Sequence, residues 1–266
     1  MTPDSSPPAA DEDPGDAATS VEVGISLDSV EAAIPADPGP IVLEDVRKEY
    51  GDVTALHGAS FRAATGEFHC LVGPNGSGKT TLAMVTLGLT KPSAGRIAGP
   101  TDDVGFSFQR PRYYPDLSVA ENLGVFAEIH GRSLADPFVE DLSSTLRLNR
   151  VSHAVAAELS GGFEKKLDVA IALLGRPTYL WLDEPLSDVD DVSTERLLSV
   201  LAGYTDRGGG VIVSTHNLRA FAPYCTKLTA FLDGHISDTV DVEDCENPAD
   251  LESLQEDLLE GLRARR

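Results

Sequence analysis

Positive charge is what this 266-residue chain has least of. Lys and Arg together number 21 against 43 Asp and Glu, for a net charge of −22 at pH 7. Only six of the basic residues are lysine, against fifteen arginines. A surface of that sign repels nucleic-acid phosphates and anionic lipid headgroups, so no nucleic-acid partner is expected. Long apolar runs are missing too. No stretch approaches the roughly 18–20 uninterrupted apolar residues of a membrane span, and direct membrane insertion is not expected. No early Lys or Arg precedes an apolar run, so no secretory signal is expected. Cysteine is scarce: Cys70, Cys225 and Cys245 are odd in number, far apart and without CxxC spacing, which points away from a disulfide framework or a zinc site. Cys70, inside the apolar run Phe68–Val72, reads as a small core residue in a reducing compartment. What remains is 41% hydrophobic and 24% charged, enough for a sizeable core in one large domain or two small ones. The expectation is a soluble, acidic, cytoplasmic protein.

Residues 1–40 are rich in Pro, Ala, Ser and Asp, contain no base and show no sustained periodicity. Such a segment buries too little to offset chain entropy and is expected to be a disordered acidic tail. Alternation from Ile41 through Val46 to Tyr50 predicts an edge strand, Gly51-Asp52 a turn, and Ala55–Arg62 a second strand. Phe68–Val72 has buried-strand length, and Thr80–Leu89 reads as a helix closed by Gly88, with Pro92 beyond. Thr178–Leu182 and Val211–Ser214 are two more short apolar runs, each preceded by a helical stretch. Strands alternating with helices imply a mostly parallel sheet covered on both faces. Residues 101–158 carry more helical than strand pattern. The chain turns acidic again near 241 and ends in a predicted amphipathic helix, Leu251–Leu262. No internal repeat is visible.

Between the apolar strand and the helix lies Gly73-Pro74-Asn75-Gly76-Ser77-Gly78-Lys79-Thr80, which fits G-x-x-x-x-G-K-[ST]. Glycines let the backbone curl so that successive N–H groups face phosphate oxygens, and the helix starting near Gly78 adds its positive dipole end. Lys79 then brings a point charge to the β- and γ-phosphates, and Thr80 a hydroxyl to Mg²⁺. The second apolar run, Tyr179-Leu180-Trp181-Leu182, ends in Asp183-Glu184-Pro185. Asp183 would sit at the crevice where ligands bind in open α/β sheets, placed to hold Mg²⁺. Glu184 would face the γ-phosphate and polarise the attacking water. By itself, Asp-Glu-Pro is also a common way to end a strand at a surface turn.

Leu159-Ser160-Gly161-Gly162 lies about twenty residues before that pair. With it, residues 41–236 resemble the nucleotide-binding subunit of an ABC transporter, motif by motif and in order. The resemblance implies an α/β P-loop NTPase with a mostly parallel sheet core, an antiparallel β edge subdomain and a helical lobe at about 110–165. The cassette would run over 41–240, with an acidic, helical extension at 241–266. In that family Tyr50 would match the aromatic residue that stacks on adenine. Gln109 would match the glutamine that touches Mg²⁺ and senses the membrane subunit, and His216 the histidine at the γ-phosphate. Thr81 would join the phosphate loop, and Ser187-Asp188-Val189-Asp190 would match the loop crossing between subunits, with Asp190 at the nucleotide. Ser160, Gly161 and Gly162 would open a serine-capped helix, Phe163–Leu174, and bind the γ-phosphate held by a second copy. ATP with Mg²⁺ would thus draw two subunits into a head-to-tail dimer, and hydrolysis would release them. Integral membrane permease subunits would be the further partners, placing the chain on the inner face of the cell membrane.

Departures from the family pattern are also legible. Phe163 stands where Gln is usual, Lys165-Lys166 replaces an arginine-bearing segment, and Asp188-Val189 stands where a small residue and Leu are common. None touches Lys79, Asp183, Glu184 or His216, so hydrolysis is still expected. Tyr113–Leu123 looks like cassettes that serve ABC-2-type exporters, although some importer cassettes share it; export is somewhat favoured. Only 81 positions separate Lys79 from Ser160, too few for the coiled coil of a chromosome-maintenance ATPase. A translation-associated protein would carry two cassettes and a basic linker. The alternative is a stand-alone regulatory ATPase without a membrane partner. The acid excess is uneven: residues 1–40 carry nine acids and no base, and residues 233–266 carry eleven acids and three bases. Acid excess with little lysine resembles proteins of salt-loving microbes.

Overall fold

The computed structural model describes residues 38–242 and 248–265. Most of the tail expected at 1–40, the stretch 243–247 and Cys245 lie outside the described residues. Strand β1 (Ile41–Tyr50) pairs antiparallel with β2 (Val53–Ala63) across the Gly51-Asp52 turn, and on its other side with β4 (Ala94–Ala98). These three strands are the antiparallel edge sheet. The main sheet has the order β10-β8-β3-β7-β6-β5, built from β3 (Phe68–Val72), β5 (Val104–Ser107), β6 (Tyr179–Asp183), β7 (Gly210–Thr215), β8 (Lys227–Leu232) and β10 (Val240–Asp241). Five of its strands, β8, β3, β7, β6 and β5, run parallel, while β10 and the short β9 (His235–Ile236) return antiparallel along β8.

Every residue of β3, β6 and β7 is buried, as strands covered on both faces must be. Their alternation sorts the core into two. Cys70, Val72, Leu180, Leu182, Val211 and Val213 face one apolar cluster, while Leu71, Tyr179, Trp181 and Ile212 face the other. The second cluster is completed by Ile41, Leu43, Val46 and Phe61 of the edge sheet and by Leu82, Ala83 and Val85 of helix α1 (Lys79–Thr86). The first takes in α2 (Val119–Ile129), α3 (Pro137–Thr145), α4 (Gly161–Leu173), α5 (Asp191–Asp206) and α6 (Pro248–Ala264). Helix α2 opens with a capping box in which the Ser118 hydroxyl accepts from the Glu121 N–H, and the Glu121 carboxylate from the Ser118 N–H. Helix α6 buries Leu251, Leu259 and Leu262 and packs on β8.

The strand at Phe68–Val72 has the expected bounds; β2, β6 and β7 differ from expectation by a residue or two at each end. Strands β4, β5, β8, β9 and β10 have no counterpart among the elements expected from residue patterns. β5 is short, Val-Gly-Phe-Ser, and its Gly105 is required by packing: a Cβ there would lie 2.1 Å from the Ala172 carbonyl oxygen of α4.

Candidate nucleotide site

Strand β3 runs into the glycine-rich loop, and the loop into α1, at the carboxyl end of the parallel strands. Gly73, at φ +152°, passes so close to β8 that a Cβ would lie 2.1 Å from the Phe231 carbonyl oxygen. Gly78, at φ +116°, caps α1 without a side-chain hydrogen bond, so the first N–H groups of the helix keep no side-chain acceptor. Beneath them the Ser77 hydroxyl is buried with no hydrogen-bond partner. The Lys79 ammonium donates to the carbonyls of Gly73 at 2.7 Å and Pro74 at 3.1 Å. Burial lowers its pKa, and the charges of Glu184 and Asp183 oppose that shift. A helix N-terminus and an unpartnered hydroxyl beside a buried ammonium suit a polyanion.

Across the cleft, β6 ends in Asp183 and Glu184. Thr80 Oγ1 donates to Asp183 Oδ2 at 2.6 Å, joining the loop to the second strand. Burial pushes the Asp183 carboxyl above its ordinary range; the neighbouring Glu184 charge adds to this, while Thr80 and Lys79 pull it back. Two hard oxygen donors with room beside them fit Mg²⁺, which keeps waters and shares phosphate oxygens and is seldom caged by protein alone. Among the described residues no cluster of three His, Cys, Asp or Glu side chains could hold a metal unaided. Glu184 takes φ +51°, a left-handed conformation costly for a non-glycine, held by Glu184 N–H donating to Ser214 O at 2.9 Å and by Ser187 Oγ donating to Glu184 O at 3.0 Å. His216 Nδ1–H donates to Glu184 Oε1 at 2.8 Å, and the Thr215 hydroxyl lies 3.4 Å from Oε2. Glu184 is 7% exposed and lines the cleft, while its histidine partner is largely exposed.

The cleft has a volume of about 610 Å³. Asn75, Gly76, Ser77, Gly78, Lys79, Thr80, Thr81, Gln109, Asp183 and Glu184 line it together. Gly73 and Pro74 join through their bonds to Lys79, and His216 through Glu184. Tyr50 does not line it, but is the cross-strand partner of Val53, which does. Ser160, Gly161, Gly162 and Asp190 are elsewhere. Gly161 lines a neighbouring recess of about 360 Å³ with Arg110, Glu164, Lys165 and Asp188, and Gln109 lines both. A Cβ on Gly162 would meet the Asp190 carboxylate at 3.0 Å, so the glycine pair is fitted to the 187–190 loop. Ser160 stands at the N-cap of α4, yet its side chain accepts no capping bond, contrary to the expected serine cap. Asp190 instead caps α5, accepting from Ser193 N–H at 2.9 Å and Ser193 Oγ at 2.7 Å.

His57, Asp233 and Gly234 also line the cleft and were not anticipated. Asp233-Gly234, both at positive φ, form the two-residue turn between β8 and β9, and the Asp-Gly pair is a hairpin signal that could have placed them. Gly234 N–H donates to Ser77 O at 2.7 Å, His57 N–H donates to Gly234 O at 2.9 Å, and the His57 and His235 rings stack at 4.5 Å. The turn thereby ties the phosphate loop to the edge sheet.

A glycine-rich loop between parallel strand and helix, facing a strand-end Asp–Glu pair, defines a phosphate-loop nucleotide site. The ABC transporter family pattern matches residues 56–187. An aliphatic sulfonates import ATP-binding protein of Burkholderia cenocepacia is 39% identical over 189 residues, covering 68% of this chain and 69% of that protein. A Nod factor export ATP-binding protein I of Burkholderia lata is 35% identical over 212 residues, covering 73% and 68%. Among solved structures, an ATP binding subunit of an ABC transporter superposes with TM-score 0.73 at 24% identity, covering 85% of this chain and 99% of that one. A dimeric bacterial ABC transporter cassette gives 0.69 at 24%, covering 76% and 99%. At that identity the structures speak for the fold. The sequence relatives go further: the chain belongs to the ABC transporter family as an ATP-binding subunit, and that family hydrolyses ATP. No helix among the described residues is long and apolar enough to cross a membrane.

Proposed function

We propose that the chain binds and hydrolyses ATP as a head-to-tail dimer and so powers transport through separate membrane permease subunits, on whose cytoplasmic side it sits. The observation that carries this reading is the convergence of the phosphate loop, the Thr80–Asp183 bond and the Glu184–His216 pair on one cleft, with Ser160, Gly161 and Gly162 outside its lining. One copy thus holds a phosphate cradle and, apart from it, an uncapped helix end whose N–H groups suit a second anion. In the dimer, Ser160–Gly162 of one copy close on the γ-phosphate in the other's cleft, with Asp190 at the seam and Tyr50 against the base. Lys79 exchanges its two loop carbonyls for phosphate oxygens. Asp183 and Thr80 would hold Mg²⁺, which would supply charge neutralisation to the phosphates. Gln109 lies at the same end. Glu184 orients the attacking water and takes its proton, and His216 holds that carboxylate while its Nε2 remains for the γ-phosphate. Residues 41–240 form the cassette, 110–165 its lobe, and 1–40 and 241–266 acidic extensions.

Permease docking falls on the face beside Gln109. An apolar recess of about 460 Å³ there is lined by Phe106, Phe126 and Ile129, with Ile129 exposed. Export is the direction we favour, on the likeness of Tyr113–Leu123 to exporter cassettes; the relatives divide, the sulfonates importers being more identical at 39% over 189 residues and the Nod factor exporters aligning over 212 at 35%. The test is Glu184→Gln. It should bind Mg-ATP but lose turnover by about 10²-fold or more, and sediment as a dimer with ATP. A variant that stays monomeric at saturating ATP refutes the dimer. Purification of the chain from cells with no integral membrane subunit attached would favour a stand-alone ATPase.

A further inference from the structure

We propose that Lys165 and Asp168 are positioning residues for hydrolysis: from helix α4 they clamp both flanks of Gln109 and hold its amide at the cleft. The inference rests on the ATPase reading above and adds residues that reading does not use. Gln109 sits on an exposed segment between the end of β5 and α2, a stretch with no secondary structure of its own. Left alone, such a segment samples many conformations, and a catalytic amide displaced by about 1 Å can lose about 10² in rate.

Helix α4 removes that freedom from one face. Lys165 Nζ donates to the Gln109 carbonyl at 3.0 Å and to the Phe108 carbonyl at 3.4 Å. Asp168, one turn on, accepts from the Ser107 hydroxyl before Gln109 and from the Arg112 N–H after it, the latter at 3.1 Å. Tyr113 OH donates to Glu164 Oε1 at 2.6 Å, fastening the segment's far end to the same helix. Residues 164, 165 and 168 share a helix face, so three consecutive anchors meet one loop. Arg112 stacks its guanidinium over Phe108 at 4.7 Å, closing the segment on itself.

The choice of residue argues for more than filling. Lys165 is 5% exposed and Asp168 3%, and a buried ammonium satisfied by backbone carbonyls is an expensive way to pack a helix. A neutral side chain would fill the space. The ammonium gives instead a charged donor to Gln109 at 3.0 Å and a longer contact to Phe108 at one fixed point, in the field of Asp168, Asp183, Glu164 and Glu184. The same helix begins with Ser160–Gly162, so the clamp ties the position of Gln109 in one copy's cleft to the helix end that serves the other.

The test uses the full chain with Lys165→Met and Lys165→Arg. Lys165→Met keeps the buried stem and removes the donors. Its kcat should fall about 10–100-fold while KM for Mg-ATP, and ATP affinity measured in the Glu184→Gln background, stay within about threefold. Lys165→Arg should return kcat to within about threefold of the parent. Amide hydrogen exchange on the nucleotide-free chain supplies a readout that needs no turnover: residues 108–112 should lose protection in Lys165→Met while residues 68–72 keep theirs. Wild-type kcat in Lys165→Met, unchanged exchange at 108–112, loss of kcat and affinity together, or no rescue by Arg would each overturn the proposal. If Glu184→Gln retained turnover while the exchange result held, the catalytic reading would fail and the clamp would stand as a structural fact only.

Discussion

Gly73 and Gly76 belong to one loop, but the structure assigns them different work, and alanine at each should separate stability from nucleotide binding. At Gly73 the added Cβ would lie 2.1 Å from the Phe231 carbonyl oxygen, 3.0 Å from its carbon and 3.1 Å from Ser77 Oγ. Phe231 is fully buried in β8, and its neighbour Ala230 pairs with Val72 of β3, so the obstacle is sheet backbone. Relief needs a shift of about 1 Å in a close-packed interior. A residue forced to positive φ costs about 1 kcal/mol, and overpacking about 1–3 kcal/mol more, so Gly73→Ala should lose about 2–4 kcal/mol. At Gly76, with φ +79°, nothing lies within 4 Å of the Cβ, and the loss should stop near 1 kcal/mol. The assay is urea unfolding of the nucleotide-free chain, followed by Trp181, the only tryptophan, which is buried in β6. With a slope of about 3 kcal/mol per molar, Gly73→Ala should unfold about 1 M earlier than the parent and Gly76→Ala about 0.3 M earlier. Nucleotide should reverse the ranking of harm. Gly76 lines the cleft, so its methyl group stands where phosphate must approach backbone. ATP at about a hundred times its Kd should stabilise the parent by about 2.7 kcal/mol and leave Gly76→Ala nearly unmoved. Equal midpoints for the two variants, or a Gly73→Ala loss below about 1 kcal/mol, would refute the reasoning.

Two further outcomes follow from charge. Asp183→Asn keeps an acceptor for Thr80 but removes a carboxylate whose pKa burial has raised. A folded carboxyl that holds its proton more tightly than the unfolded one costs stability as pH climbs from about 4 through that raised value, and the cost is complete above it. Asp183→Asn should therefore melt higher than the parent at pH 7, with the gap closing toward pH 4, and should lose the Mg²⁺-dependent part of its ATP affinity; a lower melting point at pH 7 would contradict this. The acid excess is the other lever. Raising KCl from about 0.1 M to about 2 M shortens the screening length from about 10 Å to below 3 Å, so a salt-adapted chain should melt at rising temperature across that range, and a flat profile would count against the resemblance to proteins of salt-loving microbes.

How much of this was legible in the sequence depended on whether the determining contacts were local. The phosphate loop was, because Gly73, Gly78, Lys79 and Thr80 must follow one another to curl the backbone, and the spacing carries the shape. Asp183 and Glu184 were legible because an apolar strand ended in them, although the bond from Thr80 that joins the halves spans 103 positions and leaves no local trace. β5 went unseen for the opposite reason: four residues beside an irregular loop have no period, and only Ala172 pressing on Gly105 shows why the strand lies there. Ser160 shows how a local rule misleads. Serine before a helix predicts a cap, yet here the hydroxyl makes none and the two glycines after it are shaped by Asp188 and Asp190, far along the chain. Ser160 is exposed, so water can meet the donors at this helix start, and the dimer proposed above would put a phosphate in its place. Lys165 and Lys166 read in sequence as the replacement of an arginine-bearing segment; in the structure Lys165 donates to the carbonyl of Gln109, and Lys166 lies over the Phe163 ring at 4.7 Å. The two departures at 163 and 166 thus compensate one another as a cation and a ring, a pairing that three positions of spacing allow but that no motif comparison, taken one residue at a time, could reveal.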